Sequence, residues 1–169
     1  MKSSIFKFVV LITLIFNTHT FKLKSQTMYD KEGITLNKDS LLNIINKFNF
    51  ERFYTRENFP TNFLDKAAKW YAVPEEETML AFIDASIKGN SKYGCVIGLK
   101  GFYVYNSDKC ASPGPKFIPY IKLKLNDVAV QDKFDYRIDF SNIEVFGLSK
   151  ESKQKVGELL RLIKSRLLN

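Results

Sequence analysis

Apolar residues recur along the chain with two different periods, and the change follows Pro74. Before it, they return every three or four positions, which is the period of an α-helix. The pattern predicts one short helix capped by Asp39 or Ser40 and a second short helix that begins after Pro60. Residues 27–74 are therefore predicted to form an arm followed by two short helices.

Beyond Pro74 the apolar residues form short runs separated by turn residues, as is typical of strands. The run "MLAFIDASI" has the length of a strand and is followed by the turn signal Gly89-Asn90. Two arms, residues 94–98 and 102–106, flank Gly101, which supplies the positive φ of a tight hairpin. Further strands are predicted in "KFIPYIKLKL", where Ile121, Leu123 and Leu125 alternate with Lys122 and Lys124, and in "DVAVQ", "FDYRIDF" and "NIEVFG".

The last segment is predicted to be an amphipathic helix that begins at Ser149. Its apolar residues repeat at helical spacing, and lysines and arginines occupy most of the other positions. A helix of this kind packs one face on a sheet. We therefore predict an α+β fold in which residues 75–169 form one domain of about six or seven antiparallel strands and a C-terminal helix.

Three stretches of this second part stand out as motifs: "LAFIDASIKGNSKYGCVIGLKGFYVYN", "KFIPY" and "GLSKESKQKVGELLRLI". Together they resemble the bacterial PH-like (pleckstrin-homology-like) domains of uncharacterised proteins, over residues 75–168. The resemblance implies a bent antiparallel sheet or partly open barrel, with the terminal helix closing one end. Gly98-Leu99 and Pro119 depart from the family pattern in ways that affect turns. The family has no single activity, so the resemblance implies none.

Residues 1–26 have the layout of a secretory signal peptide. Lys2 and Lys7 precede an apolar run at residues 8–16, and a polar stretch follows with a cleavage site expected near residues 25–26. The apolar run is shorter than the roughly 20 residues of a membrane span. We predict export to the bacterial periplasm or envelope, or secretion; an uncleaved N-terminal anchor is the alternative.

Export changes how charge and cysteines are interpreted. The net charge is +8, but residues 1–26 contribute four lysines and no acid, which leaves +4 for the remainder. That excess is moderate and does not indicate nucleic acid or membrane. In an oxidising compartment Cys95 and Cys110 can form a disulfide. The alternative is a buried Cys95 and a free Cys110.

Residues suited to catalysis are scarce. His19 is the only histidine and lies in the predicted signal peptide, which excludes the usual triads and zinc sites from the mature chain. No CxxC, GxGxxG or phosphate-loop motif occurs. We therefore predict a protein without enzymatic activity, cofactor or metal. Carboxylates are what remains as candidates for a site: Glu75, Glu76, Glu77, Asp84, Asp135 and Asp139. We expect the three glutamates to be solvated at the start of a strand, and Asp135 and Asp139 to form a surface ion-pair ladder with Arg137.

Candidate binding residues lie in the predicted hairpins. Tyr103 and Tyr105 share one face of the second arm, where they either stack on a ligand or pack beneath the helix predicted at residues 61–72. Lys88 and Lys92 lie in the first hairpin loop, where some PH domains hold lipid headgroups. Two lysines are too few to indicate a specific phosphoinositide site, and export disfavours nucleic acid.

These observations predict an exported, non-enzymatic module that binds a protein or peptide, for example along an exposed strand edge. A periplasmic immunity or inhibitor protein that blocks a partner enzyme is the main alternative. A small-ligand binder and an enzyme that uses only carboxylates are the remaining ones.

Overall fold

The computed structural model describes Ile34 and residues 36–108, 113–132, 135–138 and 141–169. The predicted signal peptide, Cys110 and Asp139 lie outside these residues. In chain order the elements are α1 (Lys38–Ile45), β1 (Phe53–Thr55), a 3-10 helix (Arg56–Asn58), α2 (Phe63–Tyr71), β2 (Met79–Asp84), β3 (Gly94–Gly98), β4 (Gly101–Asn106), β5 (Gly114–Pro119), α3 (Tyr120–Leu125), β6 (Val128–Asp132), β7 (Asp135–Ile138), β8 (Ser141–Glu144) and α4 (Lys150–Leu168).

The helix ends follow the capping rules, with one correction. Ser149 caps α4 as predicted, because its hydroxyl oxygen accepts the N–H of Ser152. The first helix is capped by Asn37 and not by Asp39 or Ser40. The Asn37 side-chain oxygen accepts the backbone N–H groups of those two residues at 2.9 and 3.2 Å. Asn37 was missed because it precedes the first apolar residue of the stripe by four positions.

All strand pairs are antiparallel, and the α+β class is confirmed. Strands β1 to β5 form a bent five-stranded sheet in sequence order, and β6 to β8 form a three-stranded sheet. The predicted hairpin joins β3 and β4, with Val96 opposite Tyr103 and Gly94 opposite Tyr105. Strand β1 comes from the segment before residue 75 and pairs with β2, and residues 34–169 form one compact unit.

The predicted strand over residues 121–125 is wrong. This segment is the helix α3, and Pro119 lies at its N-cap position. Tyr120 and Leu123 are fully buried, three residues apart, whereas Leu125 is 72% exposed. The alternation of apolar residues and lysines does not distinguish the two conformations here, because five residues of that pattern also fit about one and a half turns of helix.

The five-stranded sheet is covered on both faces. One face carries Ile83, Ile97 and Val104 and packs in the main core with α1, α4 and the second sheet. The other face carries Phe82, Val96 and Tyr103 and packs under α2. Covering both faces explains why β2 and β3 are almost continuously apolar.

Within the part of the chain that the structure describes, no helix has both the length and the apolar character needed to cross a bilayer.

Candidate functional site

A pocket of about 400 Å³ lies where β2 ends and the β2–β3 loop begins. We call it the loop-end pocket. It contains both of the loop lysines singled out from the sequence, together with apolar and acidic groups. The lining side chains that matter below are Ile87, Lys88, Lys92, Tyr93, Glu144 and Phe146.

A buried carboxylate shapes the loop beside this pocket. Asp84 is fully buried, and one of its oxygens accepts both the N–H and the hydroxyl of Ser86. The other oxygen accepts the N–H of Ser91 at 3.0 Å. A buried charge is tolerated only when it is hydrogen-bonded in this way. The Asp84 carboxylate therefore acts as a template for the loop.

A second buried carboxylate joins the two sheets below the pocket. Glu144 is 4% exposed and accepts the N–H and the hydroxyl of Ser107, the hydroxyl at 2.7 Å. The Asn106 side chain donates to the Asn142 carbonyl at 2.8 Å and accepts the Glu144 N–H at 3.2 Å. These bonds tie the end of β4 to β8 and fix one wall of the pocket.

Arg52 and Gly147 hold the remaining wall. The Arg52 guanidinium donates to the carbonyls of Ser86 and Gly147, and the Gly147 N–H donates to the Ala85 carbonyl at 2.9 Å. A Cβ at position 147 would lie 2.3 Å from the Ala85 oxygen, so only glycine permits this approach. The loop is thus anchored to the turn between β8 and α4.

An aromatic cluster borders the pocket and includes two of the predicted residues. Tyr105 stacks on Tyr93 with ring centroids 5.7 Å apart, and its edge meets Trp70 at 5.8 Å. The Lys92 ammonium lies 5.1 Å from the Tyr93 ring centre and 5.6 Å from that of Trp70, a cation–π arrangement. The structure therefore brings Tyr105, Lys92 and, through the shared pocket, Lys88 together. Sequence reasoning missed Trp70 and Tyr93.

Tyr103 lies two residues from Tyr105 on the same face of β4, and it is not among the residues that line the loop-end pocket. It is 4% exposed beneath α2, and its hydroxyl donates to Glu77 Oε2 at 2.5 Å. The other Glu77 oxygen accepts the N–H of Leu99 at 2.8 Å. Of the two alternatives for Tyr103, the structure therefore supports packing beneath α2 over stacking on a ligand. The expectation that Glu77 is solvated is wrong, because it is 7% exposed and holds the β3–β4 turn.

Cys95 is fully buried in the main core. Burial raises the pKa of its thiol, because the charged thiolate loses its hydration. Its suggested partner Cys110 lies outside the described residues, so the disulfide stays a prediction. The side chain of Asp135 and all of Asp139 also lie outside them.

The edges of the five-stranded sheet are poor templates for a peptide strand. On β1, the outward N–H groups of Phe53 and Thr55 donate to the Phe50 carbonyl and to the Asn58 side chain. Beside β5, the Tyr120 N–H donates to the carbonyl of Lys100, toward β4. Backbone nitrogens alternate in direction along a strand, so those of Pro115, Phe117 and Pro119 point away from β4, toward the open edge. Proline has no N–H, which leaves Phe117 as the one outward donor of that described strand.

No group of three His, Cys, Asp or Glu side chains in the described ranges is arranged to hold a metal ion. No protein-family model, curated protein or solved structure matches the chain.

Proposed function

We propose that this chain is an exported, PH-like binding module without catalytic activity that takes a protein or peptide partner at the loop-end pocket. The observation that carries the proposal is the composition of that pocket. It combines the 63% exposed side chain of Ile87 and the ring of Phe146 with two lysines, on walls that internal hydrogen bonds hold in place.

Support for the PH-like part comes from the order of elements. An antiparallel meander, a second antiparallel meander and a terminal amphipathic helix follow one another, as the resemblance over residues 75–168 implies. In that scheme the β2–β3 loop corresponds to the first hairpin loop of the domain. Support for export comes from the layout of residues 1–26.

Binding is favoured over catalysis by how the buried acidic groups near the pocket are used. The oxygens of Asp84 and Glu144 accept hydrogen bonds from the protein's own serines and backbone. Such bonds stiffen a wall and leave the carboxylates occupied. A prearranged wall suits binding, because little conformational freedom is lost when a partner arrives.

The pocket best fits a segment with an apolar side chain next to an acceptor group. An apolar side chain would cover Ile87 and Phe146, which removes exposed apolar surface from water. Carboxylate or carbonyl oxygens would then meet Lys88 and Lys92. A strand added to β1 or β5 is less favourable, since those edges offer few free donors.

The proposal is tested by photo-crosslinking of the full chain, tagged at its C-terminus, in a bacterial cell that exports it. A photoreactive phenylalanine derivative replaces Ile87 in one form and Leu125, which is exposed and does not line this pocket, in the other. We expect one dominant protein adduct from position 87 that is lost with Lys88→Glu/Lys92→Glu. Adducts that are absent, or unchanged by the double substitution, contradict the proposal. Mass spectrometry of the same sample gives the N-terminus, and a chain that still begins at Met1 contradicts export.

A further inference from the structure

A second depression, of about 710 Å³, lies at the opposite end of β2 and α2 from the loop-end pocket. We call it the acidic cleft. It is bounded by the 3-10 helix Arg56–Asn58, by the first turn of α2 and by residues 75–79 before and at the start of β2. The loop-end pocket and the acidic cleft share no lining residue.

The floor of the acidic cleft is apolar and firmly packed. Phe63 is 1% exposed and stacks on Phe82, with ring centroids 4.1 Å apart. The ring of Phe59 packs against that of Phe63, with centroids 5.0 Å apart. Leu64 follows on α2 and is 62% exposed. An exposed leucine above a packed aromatic floor offers an anchor for an apolar side chain.

The rim of the cleft is acidic although the chain as a whole carries a net charge of +8. Glu57, Asp65, Glu75 and Glu76 are exposed, and among the described residues none of them forms an ion pair. Arg56 is the one cation among the described residues that line the cleft. The rim therefore carries negative charge that the described part of the protein does not neutralise.

The inner wall is rigid. Glu77 is held by Leu99 and Tyr103, and a Cβ on Gly98 would lie 2.9 Å from its carboxylate. Glycine at position 98 thus lets a buried carboxylate close the inner side of the cleft. The exposed carboxylates of the rim are therefore the ones available to contact a partner.

From the apolar floor and the unneutralised rim, we propose that the acidic cleft docks a basic segment of a partner protein, with an apolar side chain of that segment seated against Leu64. Opposite charges around an apolar centre are the usual arrangement of protein interfaces. The inference concerns a surface distinct from the loop-end pocket and holds whether or not that pocket binds a partner.

The test uses three fluorescein-labelled peptides and fluorescence anisotropy with the purified full chain. The peptides are a basic-apolar probe (GKLFKRG), its acidic counterpart (GELFEDG) and a basic probe without apolar residues (GKSSKRG). We expect the first to bind best and to weaken when salt is raised to roughly 0.3 M. Equal binding of all three peptides, or no binding of the first, overturns the proposal.

Matched variants locate the binding. Leu64→Ala and Glu75→Gln/Glu76→Gln should each weaken the basic-apolar probe by about five- to tenfold. Leu125→Ala removes an exposed leucine that lines neither pocket, and Glu151→Gln/Glu158→Gln removes the same charge from α4; both should bind as the wild type does. Equal weakening by the control variants overturns the proposal. So does sedimentation that shows the chain associating with itself in a way that Leu64→Ala abolishes, because a second copy would then fill the cleft.

Discussion

Tyr103 and Tyr105 lie two residues apart on one face of β4, yet their surroundings differ. The Tyr103 hydroxyl serves the buried Glu77, whereas Tyr105 is half-buried and meets the rings of Trp70 and Tyr93. The period of the strand predicts only that the two share a face. Which of them is buried depends on where α2 ends above the sheet.

Tyr103→Phe should lower the free energy of unfolding by about 2 kcal/mol, because it removes a donor from a buried carboxylate. Tyr105→Phe is the matched control and should change it by less than about 0.5 kcal/mol. Urea unfolding of the two variants measures both. Equal losses of unfolding free energy in the two variants would show that the hydrogen bond to Glu77 does not stabilise the protein.

At the scale of elements, a residue far from the loop holds it in place. Arg52 precedes β1 with a left-handed backbone (φ 59°) and reaches the carbonyls of Ser86 and Gly147. It thereby connects the β2–β3 loop to the turn before α4. The loop-end pocket depends on this connection, since Ser86 and Phe146 line it.

Arg52→Lys should destabilise the protein by about 1–2 kcal/mol and speed amide exchange in residues 85–91, because an ammonium on a flexible stem replaces the Nη1 that donates to both carbonyls. The backbone strain is the same for both residues, so the change reports the hydrogen bonds. Arg56→Lys, at an exposed position, is the control. Unchanged exchange in residues 85–91 would refute the role of Arg52.

For the whole molecule, the sheet covered on both faces places large tyrosines in the interior. Tyr71 lies between α2 and the sheet, and its hydroxyl donates a hydrogen bond to the Ser91 carbonyl. Tyr120 lies in the main core, and its hydroxyl donates to the Gly98 carbonyl. Burial raises the pKa of both phenols, because the phenolate would lose its hydration.

The protein should therefore lose stability as the pH rises above about 10, where these tyrosines ionise in the unfolded chain but stay neutral in the folded one. The contribution is fully present below that pH. Tyr71→Phe/Tyr120→Phe should be less stable near neutral pH and lose less on going to alkaline pH. Urea midpoints between roughly pH 8 and 11 compare the two proteins. Parallel curves would contradict the argument.

What the sequence by itself determined is the set of helices and strands whose apolar residues follow a clear period or form a continuous run. The helices α1, α2 and α4 and the strands β2, β3 and β4 follow from apolar periodicity, turn residues and helix caps, because these record locally which side chains leave water. The same local rule failed at α3, where five residues of alternating pattern fit two conformations.

Only the tertiary structure decided which polar groups are buried and what they bind. Glu77 meets donors 22 and 26 residues away, and Glu144 meets Ser107 at a separation of 37 residues. No local pattern distinguishes Glu77 from the exposed Glu75 and Glu76 beside it. The loop-end pocket and the acidic cleft arise in the same way, because each is enclosed by segments that are distant in sequence and become neighbours only when the sheet and α2 are packed together.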